Sequence, residues 1–69
     1  METSEIVRMA NQIAAFFKSY PHAEAVAGVA THIKDFWEPR MKMALAAHIA
    51  GGSAGLEPMV VEAAAKLAG

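Results

Sequence analysis

Residues 36–58 read Phe36-Trp37-Glu38-Pro39-Arg40-Met41-Lys42-Met43-Ala44-Leu45-Ala46-Ala47-His48-Ile49-Ala50-Gly51-Gly52-Ser53-Ala54-Gly55-Leu56-Glu57-Pro58, and this stretch decides the fold class. A residue that precedes proline is pushed out of the α region, while proline itself is tolerated at the first helical position. Glu38-Pro39 is therefore a helix start, and helix formers follow it without a break as far as Ala50. Gly51-Gly52-Ser53-Ala54-Gly55 ends that helix as a flexible linker. Leu56-Glu57-Pro58 then repeats the apolar-Glu-Pro start for a short fourth helix ending near Ala68. The echo is a shared capping device, not an internal repeat.

Toward the N-terminus the same punctuation continues. Pro21 opens a second helix that runs to about Phe36, and Thr3 or Ser4 is positioned to cap a first helix running to about Tyr20. The expectation is all-α: three main helices plus a short C-terminal helix, at about 4–20, 21–36, 38–50 and 57–68, with a linker at 51–55. Sixteen alanines against eleven valine, isoleucine and threonine residues agree with it. The 69 residues are expected to form a single helical domain spanning 1–69.

Such a chain buries only about 60% of its unfolded surface. With no cysteine, it has neither disulfides nor thiolate metal ligands to assist it. Residues are 55% hydrophobic and only 19% charged, too apolar for disorder and more apolar than so small a domain easily hides. The surplus points to an interface. Six basic against seven acidic residues give a net charge of −1, which lacks the basic field of a nucleic-acid binder. The acidic start Glu2-Thr3-Ser4-Glu5 is unlike a signal peptide, and the uncharged run 43–56 is too short and glycine-broken to span a bilayer. A cytoplasmic protein is expected.

At 100° per residue, Ile6, Met9, Ala10, Ile13, Phe16, Phe17 and Tyr20 form one stripe on the first helix. Val26, Val29, Ile33, Phe36 and Trp37 form another on the second. The third helix puts Met41, Leu45, His48 and Ile49 on one side and Met43, Ala46, Ala47 and Ala50 on the other, with no charge after its first turn. A helix apolar all round is buried on two sides, so a partner chain is expected against it.

Catalytic chemistry finds no support. His22, His32 and His48 fall on three different helices without ligand spacing, and His48 reads as a hydrogen-bonded core residue. Gly51–Gly55 lacks the lysine and preceding strand of a phosphate loop, and Ser53 has no nearby base. Neither an enzyme nor a metal site is expected. Binding candidates are more visible. Arg8, Asn11, Ala15 and Lys18 share the polar side of the first helix, where a mid-helix asparagine is better explained by a contact than by propensity. Ala25, Gly28 and His32 form a shallow groove or a close helix contact. Arg40 and Lys42 occupy a first helical turn, where cations are disfavoured unless they serve an anion. Trp37 beside them offers a stacking surface, although Glu38–Lys42 and Asp35–Arg40 pairing would also account for the charges.

Three runs carry a resemblance: Arg8-Met9-Ala10-Asn11-Gln12-Ile13-Ala14-Ala15-Phe16-Phe17, Ala23-Glu24-Ala25-Val26-Ala27-Gly28-Val29-Ala30-Thr31-His32-Ile33, and Phe36-Trp37-Glu38-Pro39-Arg40-Met41. Together with Gly55-Leu56-Glu57-Pro58-Met59-Val60 they resemble the delta subunit of soluble NAD-dependent formate dehydrogenases, over most of the chain. The Phe-Trp-x-Pro-Arg-Met run is the most specific part. The resemblance implies a non-catalytic accessory or maturation subunit of a cytoplasmic molybdenum- or tungsten-dependent enzyme. Its implied partners are the catalytic subunit and a sulfurtransferase-like chaperone. No cofactor would be held permanently, and a transient contact with bis-molybdopterin guanine dinucleotide would fall to Arg40, Lys42 and Trp37. The partner surface would comprise Arg8, Asn11, His32, Trp37, Arg40 and Met41. The alternative is a small self-associating helical module, a homodimer formed through the alanine–methionine face of the third helix.

Overall fold

In the computed structural model, which describes residues 2–68, the chain forms α1 (Thr3–Phe16), α2 (His22–Phe36), α3 (Pro39–Ala50) and α4 (Pro58–Ala68). The fold is all-α, as the punctuation requires. Glu38 and Pro39 stand at the N-cap and N1 of α3, and Pro58 opens α4 in the same way. At the other end of the chain the cap is Glu2 rather than Thr3 or Ser4. The Glu5 carboxylate accepts the Glu2 N–H at 3.4 Å, a capping box that starts the helix one residue early.

The first helix stops at Phe16, not near Tyr20. Tyr20 precedes Pro21 and is excluded from the α region, so the last turn tightens before it. Lys18 N–H donates to the Ala15 carbonyl at 3.3 Å and Tyr20 N–H to the Phe17 carbonyl at 3.0 Å, both three residues back. This turn swings Phe17 over α2. A Cβ added at Gly28 would lie 2.5, 2.7 and 2.8 Å from three carbons of the Phe17 ring. Of the two readings of Ala25, Gly28 and His32, the close contact holds at Gly28: it is there because a ring crosses the helix at that point.

The core gathers Ile6, Ala10 and Ala14 of α1, Val26, Val29 and Ile33 of α2, Trp37, Leu45 of α3, and Val60 and Ala63 of α4. Trp37 is only 6% exposed. The most extensive packing is between α2 and α4, and α1 covers one side of α3. The radius of gyration, 10.7 Å, is close to the value of about 11 Å for a compact chain of this length.

Segment 51–55 is a built turn rather than a flexible linker. Ser53 N–H donates to the His48 carbonyl and Gly52 N–H to the Ile49 carbonyl, both at 3.0 Å, with Gly52 at φ 124°. That is a Schellman C-cap, which needs a residue free of Cβ strain at the position of Gly52. His48 Nε2 lies 2.7 Å from the Ala54 carbonyl, which only accepts, so that nitrogen carries the proton and donates. His48 is half-buried against this turn instead of in the core. On α3 only Leu45 is fully buried, and Met43, Ala46, Ala47 and Ala50 are exposed. Among the described residues, no element covers that face.

Candidate functional site: an exposed aromatic surface

Two pairs of adjacent aromatics shape the surface. Phe16 and Phe36 are the last residues of α1 and α2, and the chain leaves the helical path at the C-caps Phe17 and Trp37, so the two members of each pair point in different directions. Phe17 and Trp37 turn inward, while Phe16 and Phe36 are 69% and 74% exposed. Both had the spacing of core residues, and Tyr20, also expected inside, is 48% exposed. The Phe16 ring meets Phe17 edge-on at 5.0 Å, and the His32 ring lies 4.9 Å from Phe36 at 35°.

Phe16 and His32 also border a hollow of about 330 Å³ whose other walls are Met9, Gln12, Ile13 and Trp37. The result is a continuous aromatic and apolar surface running from α1 to the end of α2. Exposed apolar patches with aromatic and methionine side chains are the composition of protein interfaces. Of the expected partner residues, His32 stands on this surface and Trp37 forms part of its wall. Phe16 and Phe36 were missed, because both had the spacing of core residues and only the path of the chain at the two helix ends turned them outward.

The other expected site residues do not converge there. Asn11 makes the contact that its helix position implied, but the contact is internal. Its Nδ2 donates to the Gly55 carbonyl at 2.8 Å and its Oδ1 accepts the Glu57 N–H at 3.0 Å. The amide therefore ties α1 to the entry of α4 and has little left to offer a partner. Arg8 and Arg40 are exposed, and neither forms an ion pair among the described residues. Met41 is half-buried against the core.

A phosphate-bearing cofactor needs cations and N–H donors that converge, with an accessible ring if stacking is to help. Here Lys42 Nζ donates to the Lys34 carbonyl at 2.8 Å, capping the end of α2 instead of pairing with Glu38. Trp37 is buried by core side chains and presents no open face for stacking. Arg40, Lys42 and Trp37 therefore do not fit a bis-molybdopterin guanine dinucleotide site. The histidines are likewise dispersed: His22 pairs with Glu62, His32 stacks on Phe36 and His48 holds the turn. Among the described residues no three His, Cys, Asp or Glu side chains group as metal ligands, and no helix is long and apolar enough to cross a membrane.

No curated protein and no solved structure matches the chain. A family model does: that of the NADH-dependent formate dehydrogenase delta subunit, FdsD, matches residues 5–64. The match takes in α1, α2, α3 and most of α4, with both apolar-Glu-Pro starts and the aromatic surface between them. The chain belongs to the delta-subunit family of NADH-dependent formate dehydrogenases.

Proposed function

We propose that this chain is a non-catalytic accessory subunit of a cytoplasmic molybdenum- or tungsten-dependent formate dehydrogenase. It docks on the catalytic subunit, or on a sulfurtransferase-like chaperone serving it, and supports assembly or cofactor insertion by protein contact. The observation that carries the reading is the pair Phe16 and Phe36, left 69% and 74% exposed, the first on the hollow walled by Trp37 and the second stacked on its His32. Exposed aromatic rings cost a monomer solubility, and a partner surface is what accounts for them.

The test is complementation in a host lacking the chain. Wild type and the double variant Phe16→Ser/Phe36→Ser are compared for formate-dependent NAD reduction and for chain recovered with a tagged catalytic subunit. Removing two interface aromatics is expected to lower recovery by about tenfold or more. Activity is expected to fall with recovery. Full activity without the chain would overturn the accessory role, and undiminished recovery of the double variant would overturn the docking surface.

A further inference from the structure

A second surface lies between α3 and α4, which touch each other only slightly. Ile33 and Leu45, both fully buried, form the floor of a hollow of about 350 Å³ whose rim includes Lys34, Lys42 and Leu67. A second hollow of about 290 Å³, between Ile49 and Val61, continues from the first through Ala46, Ala64 and Ala68, which line both. Together they make one groove along two helices, walled largely by alanine and apolar except for the two lysines at one end.

Small walls let another backbone approach closely, and the length matches. Twelve residues of α3 extend about 18 Å, room for three turns of an incoming helix. Charge identifies what kind of helix. Among the described residues, the charged side chains that line the groove are Lys34 and Lys42, and no carboxylate lines it. Lys42 uses one of its three N–H donors on the Lys34 carbonyl and keeps the other two and its full charge.

A second copy of the chain is poorly matched to this end. Its α3 carries no acidic residue, and the Glu62 of its α4 is engaged by His22. Among the described residues, the helices with exposed small faces thus bring no unpaired carboxylate. We propose that the α3–α4 groove receives one amphipathic helix of a formate dehydrogenase polypeptide, its aliphatic row over Ala46 and Ala64 and its carboxylate beside Lys34 and Lys42. This is the helix-in-groove mode of recognition, with the lysines fixing its direction. It rests on the accessory-subunit reading but uses a different face from the aromatic one.

The chain has no cysteine, so Ala46→Cys creates a unique attachment point in the groove. The variant, carrying a thiol-linked photo-crosslinker, is assembled with the co-expressed enzyme and the cross-linked segment is read by mass spectrometry. The expected product joins Ala46→Cys to a helical segment with an aliphatic row and a nearby Asp or Glu. In parallel, Ala46→Glu sets a bulky charge against the incoming aliphatic row and repels the incoming carboxylate, and is expected to lower recovery with the enzyme by about tenfold, whereas Ala15→Glu on α1 stays within about twofold of wild type. Circular dichroism establishes that each variant keeps its helices.

Cross-linking only to another copy of the chain would overturn the proposal in favour of a homodimer groove. Normal recovery of Ala46→Glu, or a cross-link to a segment without an acid, would overturn it while leaving the accessory role intact. Wild type recovered with neither the catalytic subunit nor the chaperone would overturn both.

Discussion

Asn11 sits in the middle of α1, where asparagine is a poor helix former, and both ends of its amide are hydrogen-bonded to the turn before α4. One residue thus holds two segments more than forty positions apart in sequence, the Gly55 carbonyl and the Glu57 N–H being 44 and 46 residues away. Asn11→Ala improves local helix propensity but leaves a part-buried N–H unpaired at the start of α4. A net loss of about 1–3 kcal/mol is expected, read as a lower urea midpoint with unchanged helical signal. The asparagine was legible as a residue needing a contact. Its partner was not, because the direction of a polar side chain on a helix says nothing of what folds against it. Trp37 shows the same limit: its size marked it for attention, but only packing decided that it fills the core instead of facing a ligand.

Among the elements, α3 is the least secured. Leu45 is its single buried residue, whereas α2 buries Ala25, Val26, Val29, Ala30 and Ile33. Local opening costs least where few apolar contacts must be broken. Amides of α3 are therefore expected to exchange with solvent about tenfold or more faster than those of central α2 in the isolated chain, and to gain protection when α3 is covered in the enzyme. Equal protection of the two helices in the isolated chain would contradict this. Both prolyl helix starts were readable because a proline acts on its immediate neighbours. The early end of α1 was harder: the same rule applied at Tyr20, but how far the helix tightens before it depends on Phe17 finding Gly28 across the interface.

At the scale of the whole molecule, core and surface do not divide along the hydrophobic pattern. Phe16 and Phe36 carry the period of core residues yet stay outside, since a four-helix chain of this size cannot enclose both rings of each adjacent aromatic pair. Their replacement should leave the fold in place. Phe16→Ser/Phe36→Ser is expected to shift unfolding free energy by no more than about 2 kcal/mol, measured by chemical denaturation, because each side chain keeps most of its area exposed. A larger loss would mean that the rings pack where the structure leaves them exposed. The amino-acid sequence by itself determined that the chain is helical, where α2, α3 and α4 begin, that apolar surface exceeds what the core can hold, and, through its resemblance, the family. Those properties follow from neighbours along the chain and from composition. The tertiary structure alone decided which of two adjacent aromatics turns inward, that Asn11 and Lys42 serve the chain's own backbone, and that α3 and α4 leave a groove between them. Each depends on which helix packs against which, and the periodicity of one helix holds no information about its neighbour.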